Sequence, residues 1–280
     1  MNLLEVANLK IWNRETGEAI VRDSSFHVKE GSCLAIVGES GSGKSVTCKA
    51  IMRLNKAGLR QSGDIWFRGE SLTTLTDKGM RKKRGKQICM IMQNGMRAFD
   101  PSRVVGVHLK ETLEQHYGWS CEEITNRMKH AMESVRLMNP IEVMNKYPHQ
   151  ISGGMLQRVM IALSIVLEPD IIIADEPTTA LDTVSQYEVV EQFVQLRERM
   201  GCSMIFVSHD LGVVRKMADE VLVMKDGVIV ERGTTKAVFF DPQQEYTRYL
   251  VSTKQAIHQH FTQIMGGVGI AERSSCGEIL

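Results

Sequence analysis

The sequence lacks any apolar run long enough to cross a lipid bilayer. Its longest apolar stretch lies at 159–167, whereas a membrane-spanning helix needs roughly 20 apolar residues. The amino terminus also lacks the basic, apolar and small-residue regions of a secretory signal peptide. We therefore expect a chain that stays in the cytoplasm.

The sequence also lacks a strong excess of either charge, closely spaced cysteine pairs and linker segments. The 34 Lys and Arg residues and 33 Asp and Glu residues give a net charge of +1, which provides no broad basic surface for nucleic acid. The six cysteines form no CxxC pair and no spacing typical of zinc sites, so we expect reduced, mostly packed thiols. With 43% hydrophobic residues and no Pro-rich or Gly/Ser-rich linker, the 280 residues are typical of a globular protein.

Hydrophobic periodicity predicts an α/β fold. Alternating apolar and polar residues over 3–10 and 18–28 are typical of half-buried antiparallel strands. Continuous apolar runs separated by helical stretches favour a parallel core whose strands are buried on both faces. The buried strands are predicted at 33–37, 87–92, 170–174 and 203–207, the helices at 44–54, 98–167 with breaks, and 183–200, a short strand at 62–69 and a hairpin around 226–227.

The segment Gly38–Ser45 (GESGSGKS) fits the pattern G-x-x-x-x-G-K-[ST] between a buried strand and a helix. Glycines let consecutive N–H groups curve around phosphate oxygens, and the helix N-terminus adds partial positive charge. Lys44 is expected to reach the β and γ phosphates, and Ser45 to offer its hydroxyl to Mg²⁺. The sequence therefore predicts a phosphate-binding loop formed by Gly38, Glu39, Ser40, Gly41, Ser42, Gly43, Lys44 and Ser45.

Two adjacent carboxylates, Asp175 and Glu176, follow the apolar strand at 170–174. Open α/β sheets place ligand sites at the carboxyl ends of their strands. We expect Asp175 to hold Mg²⁺ through water and Glu176 to polarise the water that attacks the γ-phosphate.

The segment Ile151–Arg158 (ISGGMLQR) is a small loop that leads into a predicted helix, with Ser152 as a plausible N-cap. Its free N–H groups suit an anion, but one nucleotide in the loop at Gly38–Ser45 leaves no evident use for a second anion site. From spacing alone, an anion site and an ordinary capped helix stay equally open.

Taken in order, these segments resemble the nucleotide-binding subunits of ATP-binding cassette (ABC) transporters. The resemblance covers about residues 3–250, and it implies a P-loop NTPase fold with a RecA-like parallel core and an antiparallel β layer. A helical signature subdomain is expected at about 95–165 within a domain at 1–250, followed by a C-terminal helical extension and tail at 251–280. The matching motifs are Gly38–Ser45 (Walker A), Gln93 (Q-loop), 152–158 (signature), Asp175-Glu176 (Walker B), 180–182 (D-loop) and His209 (H-loop).

The resemblance also implies roles for residues that spacing left open. In the family, two subunits pack head to tail, so that the loop of Ser152, Gly153 and Gly154 closes on the γ-phosphate held by the partner's P-loop. It further implies that Gln93 senses Mg²⁺ and the attacking water, that His209 contacts the γ-phosphate, that Asp182 belongs to the nucleotide site and that Trp12 stacks on adenine.

Within the family, the sequence looks most like the first ATPase subunit of nickel and nickel-metallophore importers. The segments at 91–94, 97–101, 155–158 and 242–248 carry this likeness. It implies a peripheral location at the cytoplasmic face of the cell membrane, ATP and Mg²⁺ as cofactors, and no nucleic-acid partner. The expected partners are a second, non-identical ATPase subunit, two membrane permease subunits and an extracytoplasmic substrate-binding protein.

Two other functions stay open: an oligopeptide or dipeptide importer ATPase, and a soluble ABC ATPase that acts on nucleic acid or the ribosome. The single cassette and balanced charge disfavour the second. The basic run at 78–86 is expected to be a solvated loop, and the methionines over 128–160 are expected to fill the core rather than bind metal.

Overall fold

The computed structural model describes residues 1–253 except Asn94 and Ala180. The tail expected at the C-terminus therefore lies outside the described residues from position 254 onward, together with Cys276. None of the helices in the described part combines the length and apolarity needed to span a membrane.

The described strands form one mixed sheet whose spatial order is 5-4-1-2-10-9-3-8-7-6. The strands are β1 (Asn2–Asn13), β2 (Ala19–Lys29), β3 (Cys33–Val37), β4 (Leu59–Phe67), β5 (Glu70–Ser71), β6 (Ile88–Ile91), β7 (Ile171–Asp175), β8 (Ser203–Val207), β9 (Glu220–Lys225) and β10 (Val228–Thr234). The helices are α1 (Lys44–Ile51), α2 (Asp77–Lys83), α3 (Val105–Tyr117), α4 (Cys121–Ser134), α5 (Pro140–Met144), α6 (Gly153–Leu167), α7 (Thr183–Met200), α8 (Leu211–Met217) and α9 (Thr235–Phe240), with 3₁₀ turns at Gly95–Ala98 and Pro148–Gln150.

The parallel core consists of β9, β3, β8, β7 and β6. Every residue of β3, β7 and β8 is buried, as expected for strands that helices cover on both faces. The register pairs Ala35 with Phe206, Ile205 with Ile173, and Ile173 with Met90. The predicted α/β fold with a parallel core is confirmed.

The antiparallel layer consists of β5, β4, β1 and β2, and it continues the same sheet rather than forming a separate one. One backbone pairing, Val228 with Asp23, joins β10 to β2. Side chains reinforce this junction: Arg232 donates to Glu220 at 2.7 Å, and a guanidinium nitrogen of Arg232 lies 3.0 Å from His27 Nε2. The junction matters for the site because β2 also packs behind the loop at Gly38–Ser45.

The helices α3 to α6 pack together beside the core, in the region where the sequence predicted helices with breaks. Ser120 caps α4 by accepting from Glu123 N, and two glutamates in its first turn complement the helix dipole. Met128 and Met132 are fully buried on α4, so the expectation that these methionines fill the core is confirmed for them. Met138, by contrast, is 79% exposed.

The basic run at 78–86 was expected to be a loop, and this expectation is wrong for most of it. Its first part lies in α2, which Thr76 caps by accepting from Gly79 N. Asp77 in the first turn, and Arg81 and Lys82 in the last, complement the helix dipole. A capping residue and end charges therefore stabilise a short helix that its sparse apolar residues did not indicate.

Four of the cysteines, Cys33, Cys48, Cys89 and Cys202, are free and buried, as expected, whereas Cys121 is exposed. Burial raises the pKa of Cys33 to about 12, so this thiol stays protonated. Among the described residues, no cluster of His, Cys, Asp and Glu is arranged to hold a metal ion by itself.

Candidate functional site

The candidate site lies where four neighbouring parallel strands end. In spatial order these strands are β3, β8, β7 and β6. The loop at Gly38–Ser45 follows β3, His209 follows β8, Asp175 ends β7 and Gln93 follows β6. The parallel register therefore aligns segments that are far apart in the sequence at one edge of the sheet.

The loop at Gly38–Ser45 folds around the side chain of Lys44. Lys44 Nζ donates to the carbonyl oxygens of Gly38 at 2.9 Å and Glu39 at 2.7 Å. Burial lowers the pKa of Lys44, while the nearby carboxylates of Glu176 and Asp175 oppose this effect. The loop thus holds a buried cation at the N-terminus of α1, where free N–H groups add to its attraction for an anion.

Gly38 permits this loop to pass close to a neighbouring strand. Its φ is +149°, and a Cβ at this position would lie 2.1 Å from the carbonyl oxygen of Met224. Gly43, the N-cap of α1, has a φ of +100°, which lies in the left-handed region. It lies beside Val21 of β2. The backbone can therefore curve as a phosphate-binding loop requires only with glycine at these positions.

Ser45 and Asp175 join the first helix to β7. Ser45 Oγ donates to Asp175 Oδ1 at 2.7 Å, and Asp175 is buried. Burial raises the pKa of Asp175, and the hydrogen bond from Ser45 opposes the rise. A hydroxyl and a carboxylate are hard oxygen ligands of the kind that Mg²⁺ prefers, so this pair fits a Mg²⁺ bound together with a nucleotide.

Glu176 lies at the centre of a small polar cluster. Its Oε2 accepts from Thr179 Oγ1 at 2.9 Å and from Gln93 Nε2 at 3.2 Å, and it lies 3.6 Å from His209 Nδ1. The interaction with His209 lowers the pKa of Glu176, while its partial burial opposes the shift. The carboxylate is therefore ionised at neutral pH.

Thr179 is a site residue that the sequence did not indicate. It lies three positions after Glu176, and its hydroxyl contacts the carboxylate because the chain turns at once after β7. Glu176 itself has φ +46°, in the left-handed region that non-glycine residues seldom adopt. The signal was a hydroxyl residue three positions after an acidic strand end, a pattern too common to be specific.

The segment at 152–158 forms the start of α6. Ser152 is exposed and accepts from Met155 N at 3.2 Å, so the predicted N-cap is present. A Cβ on Gly154 would lie 3.4 Å from Ser185 Oγ at the start of α7. Asp182 Oδ1 accepts from Ser185 N at 3.0 Å, which connects the segments at 152–158 and 180–182 within one chain.

The Q-loop also contacts α6. A Cβ on Gly95 would lie 3.1 Å from Leu156 Cβ and 3.2 Å from Met160 Cε. Gly95, two positions after Gln93, therefore packs directly on the helix that Ser152 caps.

Trp12 lies half-buried in β1, where it pairs with Ala19 and Arg60 of the adjacent strands. Its stacking on adenine stays a prediction. The other predicted residues lie at the four strand ends or at the start of α6, except Asp182, which lies just before α7.

The family model for ABC transporters matches residues 21–179. The chain belongs to this family. It is therefore an ATP-binding and ATP-hydrolysing transporter subunit, as the resemblance implied.

Curated relatives include two kinds of ATP-binding subunit. The metal-staphylopine import system ATP-binding protein CntD of Staphylococcus aureus is 47% identical over 267 residues, which cover 95% of this chain and 98% of that protein. The oligopeptide transport ATP-binding protein OppD of Bacillus subtilis is 43% identical over 255 residues, which cover 90% of this chain and 71% of that protein.

A similar solved structure is the ATP-binding cassette MJ0796 in a dimeric post-hydrolysis state bound to ADP and Pi. It has a TM-score of 0.73 and 27% identity, and the match covers 83% of this chain and 98% of that one. Both sequence and architecture therefore agree with the predicted ABC ATPase fold.

Replacing Gly38 with alanine is expected to disrupt the loop. The new Cβ would meet a backbone oxygen of β9 that cannot move independently, so Gly38→Ala should destabilise the chain by about 1–3 kcal/mol and weaken ATP binding at least tenfold. Denaturant unfolding and ATP titration of the full chain measure both effects. Gly58→Ala is the control, because its Cβ would meet no atom within 4 Å. Unchanged ATP affinity in Gly38→Ala would contradict the tight approach described here.

Proposed function

We propose that this chain is the ATPase subunit of an importer and that it energises uptake of nickel or a nickel/metal-chelate complex through separate membrane permease subunits. It acts as a peripheral subunit at the cytoplasmic face of the cell membrane. The observation that carries the ATPase function is the alignment of the P-loop, Asp175, Glu176, Gln93 and His209 at one edge of the sheet.

Each of these residues has a distinct task in ATP hydrolysis. Lys44 and the N–H groups of the loop would hold the β and γ phosphates, while Ser45 and Asp175 would hold Mg²⁺, which would neutralise charge on the phosphate oxygens. Glu176 accepts the proton of the attacking water. The amide of Gln93 already donates to Glu176 Oε2, which supports a role in orienting that carboxylate.

His209 is proposed to contact the γ-phosphate. It lies close to Glu176 and directly precedes Asp210, whose side chain caps α8 by accepting from Gly212 N at 2.8 Å. Asp210 also accepts from Gln186 Nε2 of α7 at 2.9 Å. These contacts tie the end of β8 to two helices, which supports a fixed position for the His209 backbone.

The complete site is proposed to need a second ATPase subunit. The exposed N-terminus of α6, with Ser152, Gly153 and Gly154, would then close on the γ-phosphate of the opposite subunit. The dimeric state of the MJ0796 cassette supports this arrangement. A non-identical partner, two permease subunits and an extracytoplasmic substrate-binding protein complete the proposed transporter.

The cargo proposal depends on relatives. CntD is a subunit of a metal-staphylopine import system, and its similarity to this chain extends over nearly the whole of both proteins. The alternative is a peptide importer, because OppD of Bacillus subtilis is nearly as similar but is matched over a smaller share of its length. A role on nucleic acid is disfavoured by the net charge of +1.

Glu176→Gln is expected to keep ATP binding and to lower the rate of ATP hydrolysis by two to three decades. This loss corresponds to roughly 3–4 kcal/mol of transition-state stabilisation, at about 1.4 kcal/mol per decade. The change removes the proton acceptor and leaves Lys44, Ser45 and Asp175 in place. Phosphate release by the assembled transporter measures it. Glu198→Gln, on the exposed face of α7, is the control and should hydrolyse ATP normally. Wild-type turnover in Glu176→Gln would remove Glu176 from its proposed role.

Ser152→Arg tests action on the opposite subunit. It should lower hydrolysis in the assembled transporter at least tenfold without changing ATP binding to the single chain, since the bulky cation enters the proposed interface. Ser120→Arg is a matched control: Ser120 is also an exposed N-cap serine, and losing either cap costs about 1 kcal/mol of stability. Equal turnover in the two variants would reject the proposed interface.

The cargo is tested by uptake in cells. Deleting the gene should lower nickel accumulation in metal-poor medium and leave oligopeptide uptake unchanged. Wild-type protein should restore accumulation, and Glu176→Gln should not, because transport requires hydrolysis. Normal nickel accumulation together with lost peptide use would instead favour the peptide importer.

A further inference from the structure

A residue near the C-terminus reaches the P-loop. The hydroxyl of Tyr246 accepts a hydrogen bond from Glu39 N at 3.1 Å, although the two residues are 207 positions apart. Burial raises the pKa of Tyr246, so the hydroxyl stays neutral at physiological pH and accepts through a lone pair. None of the roles assigned above uses this contact.

The contact acts on the same peptide group that holds Lys44. The N–H of the peptide between Gly38 and Glu39 donates to Tyr246, and the carbonyl of that peptide accepts from Lys44 Nζ at 2.9 Å. A hydrogen bond at each end fixes the plane of this peptide. Without the bond to Tyr246, the torsions of Gly38 have more freedom, because glycine lacks a Cβ that would restrict them.

The β9–β10 hairpin contacts both Tyr246 and the P-loop. Lys225 Nζ lies 4.9 Å from the centre of the Tyr246 ring, at a distance typical of a cation–π interaction. The turn after Lys225 also contacts the P-loop directly, since Gly227 N donates to Ser42 O at 3.2 Å. The turn of the β9–β10 hairpin and the Tyr246 side chain therefore both pack against the loop.

The backbone around Tyr246 is fixed as well. Residues 245–253 are helical, and the side chain of Glu231 accepts from the N–H groups of Gln243 and Gln244 at 2.8 and 3.0 Å, just before this helix. The helix buries Val251 in the cluster that contains Val37, the last residue of β3 before the P-loop. The C-terminal helix is thus packed against the strand that carries the loop.

We propose that Tyr246 is a positioning residue for ATP binding: its hydroxyl fixes the Gly38–Glu39 peptide, and through that peptide it fixes the Lys44 side chain. The inference rests on the proposed use of Gly38–Ser45 as the ATP site. Tyr246 touches no reacting group, so its loss weakens ATP binding and leaves the hydrolysis step nearly unchanged.

The test compares Tyr246→Phe with Tyr249→Phe, because the Phe ring preserves packing and Tyr249 is a 59% exposed tyrosine in the same helix. One hydrogen bond corresponds to roughly a fivefold change in affinity. Tyr246→Phe should therefore raise the ATP dissociation constant of the full chain, and the KM for ATP of the assembled transporter, about fivefold. Its kcat should stay within twofold of wild type, and Tyr249→Phe should match wild type in all three.

Hydrogen exchange of the Glu39 amide directly measures whether its hydrogen bond to Tyr246 is present. In the full chain without nucleotide, the Glu39 N–H should exchange at least five times faster in Tyr246→Phe, while buried amides of β3 keep their wild-type rates. General acceleration of the β3 amides together with Glu39 would mean a structural role only, and would overturn the positioning role.

The possible failures are distinguishable. If wild type binds ATP and Tyr246→Phe binds it equally well, the positioning role is wrong and the proposed function stands. If wild type does not bind ATP, and Lys44→Ala gives the same result as wild type, the ATP site itself is wrong and this inference falls with it.

Discussion

The parallel pairing of β3, β8, β7 and β6 determines where the parts of the candidate site lie relative to one another. Each strand contributes one part of the site at its carboxyl end, and the register between them determines how far apart those parts lie. The Ser45–Asp175 hydrogen bond at 2.7 Å is a direct result, because it connects the helix after β3 with the end of β7. Buried apolar strands therefore position polar groups that have no stable arrangement by themselves.

The electrostatics of the site follow from this arrangement. Lys44 is buried beside two carboxylates, and each group changes the cost of ionising the others. Asp175 is more buried than Glu176, so burial dominates its pKa, whereas His209 and Thr179 stabilise the ionised form of Glu176. Two adjacent carboxylates thus have pKa values shifted in opposite directions by their different surroundings.

Much of the fold and site could be predicted from the sequence, because the informative patterns are local. The glycines and Lys44 in Gly38–Ser45 follow a buried strand at a fixed spacing, and the Asp175-Glu176 pair ends another. Thr179, Tyr246 and α2 were missed because their roles depend on tertiary contacts or capping. In particular, no local pattern relates Tyr246 to Glu39, since the contact exists only after β3 and the C-terminal helix pack together.

The residues of this chain indicate ATP chemistry more specifically than they indicate a cargo. Residues for ATP chemistry lie within one sheet edge, where distances and burial can be read directly. In the proposed function the ATPase works through separate permeases and need not touch the transported molecule, so its side chains need no ligand set for that molecule. In the proposed transporter, the chain would pass its nucleotide state to a permease. Gly95 packs on α6 and lies two positions after Gln93, whose amide contacts Glu176, so these contacts relate the proposed hydrolytic carboxylate to the helical region.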